Sequence, residues 1–339
     1  MHTPPFVKDL SSRKPVLRAI LAALASRGPD QAALFALARK ARDAAFPLRT
    51  AEIRSVLELS NVCRVRCRFC NIGSLLPRER YVLRRAEIVS IVTRLYREKG
   101  RRVFLFQAGE NPSETFIRLV CSAVGDIKRT LPGTSIITCL GSLPRAQYRL
   151  LKTAGVDRYI LKFETSDPDL YAALKPGDSL RRRLKCLKDL TELGFEVGTG
   201  NIVGLPGQEP ESLAEDLKLF RRFEPAMVSA TAFIPGETSP LAGSPAGNID
   251  LTLNFLALLR LFYPRTLIPS TSSLEKASRG GQYRGLMAGA NALTIHDGTP
   301  IALRPVFPIY STDRFTPTEK FIRGTAAKAG LEIDHAPAR

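Results

Sequence analysis

Tryptophan is absent from the 339 residues, and methionine and histidine occur only three times each. With only His2, His296 and His335 along the chain, no histidine stands near a cysteine to complete a structural zinc site. No stretch approaches the roughly 20 uninterrupted apolar residues of a membrane helix, and residues 1–14 lack the apolar core and small-residue cleavage site of a secretory signal. A cytoplasmic chain with no membrane partner is expected. Acidic residues are in deficit, 32 against 50 basic ones, giving a net charge of +18. That field attracts nucleic acid, an acidic substrate or an acidic protein and names none of them. Cysteine is sparse as well: six residues are too few for a disulfide scaffold, and clustered thiols in a reducing compartment point to metal binding or catalysis. Hydrophobic residues at 44% and charged residues at 24% exclude wholesale disorder and a coiled coil.

Short β-rich runs alternate with amphipathic helical segments. Strands are predicted at 53–59, 103–107, 135–140, 158–163, 196–203, 227–233, 266–269 and 292–295. Helices are predicted at 85–98, 113–130, 144–153, 179–193, 210–223, 250–262 and 281–288. Strands separated by helices imply parallel pairing with right-handed crossovers, and eight such units suit an α/β fold of the (β/α)8 TIM-barrel type. An open doubly wound sheet is the runner-up. The expected division is an N-terminal helical extension over 1–47, a barrel over 48–304 and a C-terminal tail over 305–339.

Three of the six cysteines, Cys63, Cys67 and Cys70, fall on the loop after the first predicted strand, at the barrel edge where such enzymes place their chemistry. Three thiolates at C-x3-C-x2-C spacing can hold a [4Fe–4S] cluster and leave one iron open to an external ligand. A structural zinc would need a fourth ligand, and no second cysteine pair or nearby histidine supplies one.

With Phe69 before the third cysteine, this motif resembles the signature of the radical SAM superfamily. The resemblance implies a [4Fe–4S] cluster whose open iron chelates S-adenosylmethionine (SAM) and cleaves it reductively to a 5′-deoxyadenosyl radical. Ala108-Gly109-Glu110 matches the segment that meets the methionyl ammonium. Glu164 matches the acidic residue gripping the ribose hydroxyls or the ammonium, and Arg183 the partner of the SAM carboxylate. The run from Gly200 to Gly207 matches the adenine segment, with Ile202 beside the ring and Gly204 in the turn. Each also has a bland reading, as a turn glycine or a solvated charge.

Within the superfamily the chain resembles most the biotin synthase-like branch, in the group holding the [FeFe]-hydrogenase maturase HydE and methylornithine synthase. That resemblance implies a small-molecule substrate inside the barrel. Biotin synthase itself is disfavoured, because two positions of its second cluster read here as Ile137 and Gly198; Cys139 lies one side-chain alternation beyond Ile137. An amino-acid mutase of this group would place an arginine where Ser229 stands. Tentative substrate contacts are the hydroxyls of Thr138, Ser270, Thr271 and Ser272, together with His296, for which a hydrogen-bonded loop histidine beside Asp297 is the alternative. Arg78, Arg80, Arg84, Arg85 and the arginines of 97–102 offer a basic surface for the flavodoxin or ferredoxin that reductive cleavage requires. An RNA-modifying enzyme is less favoured, since no appended RNA-binding domain accompanies the charge, and a non-enzymatic iron–sulfur carrier is third.

Overall fold

The computed structural model describes residues 4–10, 16–308 and 315–335. Three helices, α1 (Phe6–Leu10), α2 (Leu17–Ala25) and α3 (Gly28–Ala45), precede β1 (Thr50–Ser60). Then come α4 (Arg85–Lys99), β2 (Val103–Ala108), α5 (Glu114–Thr130), β3 (Ser135–Cys139), α6 (Arg145–Thr153) and β4 (Arg158–Ile160). They are followed by α7 (Pro168–Leu174), α8 (Leu180–Glu192), β5 (Glu196–Val203), α9 (Pro210–Phe220) and β6 (Met227–Ala232). The chain continues with α10 (Ile249–Phe262), α11 (Ser272–Ala277), α12 (Gly281–Met287), β7 (Ala292–Ile295), α13 (Glu319–Lys328) and β8 (Glu332–Asp334).

The strands run parallel in the order β6-β5-β4-β3-β2-β1-β7, as helical crossovers require. The predicted strand at 266–269 is reduced to single bridges, Met227 to Leu267 and Pro269 to Ala292. Pro269 has no amide to donate, so a regular ladder cannot run through it. Hydrogen bonds from Val228 N to Leu267 O (3.0 Å) and Ser270 N to Ala292 O (2.9 Å) nonetheless close the ring between β6 and β7. Two short helices, α7 and α11, were not foreseen, nor was β8, which pairs with β1 from the C-terminal segment.

Alternation sets two faces on every strand. Outward residues such as Ile53, Phe106, Ile136, Leu293 and Ile295 join the helices in the main core. Inward, Val56, Val103, Leu105, Ile137, Ile160, Met227 and Leu267 form an apolar layer across the barrel. On the N-terminal side of that layer lies a buried ionic plug. Glu52 receives Arg54 at 2.6 Å and Arg158 at 2.7 Å, and Arg158 also reaches Glu196 at 2.9 Å. A plugged floor leaves access only from the C-terminal mouth. α10 is buried from Thr252 to Arg260 because α2 and α3 pack over it.

Candidate active site at the barrel mouth

The loop after β1 carries Cys63, Cys67 and Cys70, all partly accessible and none in a disulfide. The loop curls on itself through Cys70 N to Cys67 O and Gly73 N to Cys70 O, both 3.3 Å. Arg80 braces it from within, donating to the carbonyls of Asn61 (2.6 Å), Ile72 (2.8 Å), Gly73 and Leu76 (both 3.1 Å). Arg80 therefore holds the loop and is not part of a docking surface. Arg101 is likewise internal, paired with Asp297 (3.0 Å) and Glu319 (3.1 Å), and Arg85 is paired with Asp126. Of the expected basic surface Arg84, Arg85 and Arg97 are exposed, the first two paired with Glu87 and Asp126, and Arg64, Arg66 and Arg68, interleaved with the cysteines, are exposed as well.

Burial pushes all three thiols up, Cys70 to about 12, so in the bare protein they are neutral. Thiolate character must come from a bound cation. The described residues hold no set of three side chains gathered tightly enough for one metal ion. Three thiols on one loop provide one ligand to each of three irons of a four-iron cube.

Around this loop the expected SAM residues converge. Gly109 closes the end of β2 on the loop: a Cβ there would lie 2.7 Å from the Cys63 Cβ. Glu110 is buried, with Oε2 accepting Ser142 N at 2.9 Å, while its Oε1 is buried and accepts no hydrogen bond among the described residues. The Arg64 guanidinium approaches that oxygen only to 4.0 Å, so a hydrogen-bond position on it suits an external donor such as an ammonium group. Arg183 reaches Glu110 and Asp178 at 3.6 Å each and donates to the Tyr171 hydroxyl at 3.1 Å. Burial disfavours its charge, but Tyr171 and Glu110 outweigh that, and the guanidinium titrates above its ordinary range. Arg183 and Glu164 both bear on the Cys67 thiol, which puts them beside the cysteine loop.

Glu164 sits at φ 68°, a left-handed conformation that a side chain resists. Two backbone hydrogen bonds to β5 hold it there, Glu164 N to Gly200 O (3.1 Å) and Ile202 N to Glu164 O (2.8 Å). Phe69 and Ile202 meet in one small apolar cluster with Leu205 and Phe233, a surface suited to a flat ring. Gly204, at φ 86°, makes the turn after β5, and the Gln208 side chain fastens it by accepting Gly204 N at 2.7 Å. At Gly200 an added Cβ would collide with Ser229 on β6.

The tentative substrate contacts divide. Thr138 lies between the inward Ile137 and Cys139 and so faces out of the barrel. Ser270 also points away, donating to Gln282 O at 2.7 Å beneath α12. Ser272 opens α11. Thr271 is half-buried at the parity of the inward Leu267 and pairs with the Ser273 hydroxyl at 2.8 Å. His296 follows β7 on its inward face, with Nδ1 3.4 Å from Glu58 Oε1 on β1. Its neighbour Asp297 is engaged with Arg101, so the partner of the histidine is Glu58. Glu58, Lys162, Tyr171, Asp178 and Gln208 escaped the sequence reading. Glu58 and Lys162 did carry a signal, being charged residues within β-rich apolar runs.

Residues 57–220 match the model of the radical SAM superfamily. The [FeFe]-hydrogenase maturase subunit HydE of Thermotoga maritima is 36% identical over 259 residues, 76% of this chain and 73% of the relative. The chain belongs to the radical SAM superfamily. It is a radical SAM enzyme, and its cofactors are a [4Fe–4S] cluster and SAM. The 3-methylornithine synthase of Methanosarcina acetivorans is 28% identical over 266 residues, 77% of this chain and 73% of that one. The crystal structure of the methylornithine synthase PylB superposes with a TM-score of 0.85 at 25% identity, covering 98% of this chain and 97% of the other. Radical SAM neighbours of this kind carry the same barrel architecture. No helix among the described residues is long and apolar enough to cross a membrane.

Proposed function

We propose that this enzyme directs radical chemistry at a small polar molecule held inside the barrel, in the manner of HydE. The observation that carries the reading is a break in strand burial. The strands are buried nearly throughout, yet Gln107, Cys139, Thr231 and Thr294 are each partly accessible, as are Lys162, Glu164 and Thr271 beside them. All have inward parity, so they line one cavity above the apolar layer. Its wall offers hydroxyls, an amide, a thiol and the Glu58–His296 pair.

In this reading Cys63, Cys67 and Cys70 would hold the cluster, which when bound would supply the one-electron reduction that splits SAM into methionine and a 5′-deoxyadenosyl group. Gly109 and Glu110 receive the methionyl ammonium, and Arg183 its carboxylate. Glu164 takes the ribose, and Phe69 and Ile202 flank the adenine, on a strand end shaped by Gly200, which lets β5 lie against Ser229, and by Gly204, whose turn packs against Gly247. Arg64, Arg66 and Arg68 form the face on which an acidic flavodoxin or ferredoxin docks. Thr271 and His296 remain the substrate contacts of the original set.

A methylornithine synthase-like mutase is the second reading, favoured by the superposition with PylB. Charge bookkeeping opposes it. Binding a free amino acid calls for a cation for its carboxylate. In this barrel Lys162 lies 3.0 Å from Glu164, Arg54 and Arg158 share Glu52 below the apolar layer, and Ser229 stands on β6. The test is anaerobic incubation of the reduced, reconstituted enzyme with SAM, with and without lysine. 5′-Deoxyadenosine without an isomerised lysine is expected; efficient methylornithine formation establishes the mutase instead.

A further inference from the structure

We propose that Asp216, outside the barrel, is a positioning residue for SAM: it ties the turn after β4 to β5 and thereby aims Glu164 at the cluster. The inference rests on the reading of Glu164 as a SAM contact. Asp216 is fully buried on α9. Its Oδ1 accepts the Ser166 amide at 2.6 Å, and its Oδ2 accepts Asn201 Nδ2 at 2.7 Å. One carboxylate so joins three elements: α9, the turn that carries Glu164, and the strand opposite it.

That turn needs a tie. Beyond β4 the chain leaves the regular ladder, and the left-handed Glu164 is kept by its two hydrogen bonds to β5. Releasing the Ser166 amide and Asn201 together would leave the turn joined to α9 only by the longer Ser166 Oγ to Ser212 O bond, 3.3 Å, and would loosen the strand position that faces it. A carboxylate is also a costly residue to place here. The charged group that bears on it is Asp167, the N-terminal cap of α7, which is of like sign; β5 presents Asn201 and the turn presents Ser166. Burial pushes the carboxyl up to about 7. For stability alone a neutral side chain would serve better, because an uncompensated charge is expensive to bury. What the charge supplies is two strong acceptors at once, charge-assisted bonds being roughly twice as strong as neutral ones. Protonation turns one of those oxygens into a donor facing the Asn201 amide, and the tie opens. Asn201 Oδ1, buried and without a hydrogen-bond partner among the described residues, can receive that proton only if the amide turns over.

The experiment measures SAM dissociation constants of the cluster-loaded enzyme between pH 6 and 8, alongside hydrogen exchange of the Ser166 amide corrected for its intrinsic rate. Asp216→Asn should bind SAM about tenfold more weakly at pH 8, expose the Ser166 amide, and melt at no lower temperature. Wild-type affinity should fall as the pH drops through about 7, and that component should vanish in Asp216→Asn. The exchange variant Asp216→Asn with Asn201→Asp restores a donor and an acceptor in facing positions and should recover most of the affinity. Asp216→Asn binding SAM within twofold of wild type at pH 8 would overturn the proposal. Should that variant fail to fold, a wild-type Ser166 protection factor that is flat from pH 6 to 8 would overturn it equally. Glu164→Gln separates the two layers: if it leaves SAM affinity intact while Asp216→Asn still loosens Ser166 and weakens SAM, the role given to Glu164 fails and the tie stands.

Discussion

Gly109 gives the sharpest perturbation of the cluster site, because its φ is not in the left-handed region and alanine there changes nothing but a methyl group. That methyl would stand 2.7 Å from the Cys63 Cβ and 2.9 Å from the Val62 carbonyl carbon, where ordinary contact begins at 3.4 Å. Both neighbours are main chain or the first side-chain atom, so no flexible end can swing aside. The Val62 carbonyl oxygen stands closer still, so the loop must retreat by at least about 0.7 Å, several times the roughly 0.2 Å by which metal–ligand lengths vary in sound sites. Overpacking of this kind costs about 1–3 kcal/mol, which a barrel of this size survives as a folded protein. The expected result is a Gly109→Ala protein with native circular dichroism that retains well under the roughly four irons and four sulfides per chain of a reconstituted [4Fe–4S] enzyme. Gly125→Ala is the control: it lies in α5 with nothing within 4 Å of the added Cβ, and it should keep its cluster. A Gly109→Ala protein with a full complement of iron would refute the packing of β2 against the cysteine loop.

Replacing Cys63, Cys67 or Cys70 by alanine should abolish the cluster, whereas Cys121→Ala and Cys186→Ala, on α5 and α8 away from the loop, should leave iron content unchanged. Arg183→Ala should weaken SAM binding about ten- to a hundredfold in equilibrium titration. It should also lower the melting temperature, because Glu110 and Asp178 lose a buried partner, a loss worth about 3–5 kcal/mol in comparable buried pairs. The Asp216 carboxyl, pushed up to about 7 from an ordinary 3.8, keeps a proton in the fold that the unfolded chain has already released between these values. Stability should therefore fall by about 4 kcal/mol as the pH rises from about 4 to 7 and level off above. Denaturant titrations of wild type against Asp216→Asn at pH 5 and 8 check it, and equal pH dependence in the two would contradict the assignment.

Periodicity located the strands of the barrel because each is an apolar run bounded by polar turns, and it placed the cysteine loop at the correct edge. The failures were of face and of partner. Thr138 and Ser270 were grouped with the barrel-lining hydroxyls by chemistry alone, although Thr138 lies one residue from Ile137 and Ser270 one from Thr271. A single step along a strand carries a side chain to the other side of the sheet, so neither can share a cavity with its neighbour. That error was open to correction from the sequence, once Ile137 and Cys139 had been set on one face.

The partners were not open in the same way. Arg80 and Arg101 are indistinguishable in sequence from the other arginines of a strongly basic chain. Only the closed loop shows four carbonyls converging on Arg80, and only the returning C-terminal segment brings Glu319 to Arg101. Glu58 and His296 come together because β1 pairs with β7, the first and last strands of the ring. The same closure explains why the substrate is harder to read than the cofactor. The cysteine motif is one continuous loop, and most of the expected SAM contacts sit at successive strand ends around the mouth. The cavity wall takes one inward residue from each of several strands, and its charge depends on which pairs neutralise each other. Lys162 counts as a free cation in the sequence, but 3.0 Å from Glu164 it does not in the fold, and the wall then suits a hydrogen-bonding ligand better than an anionic one.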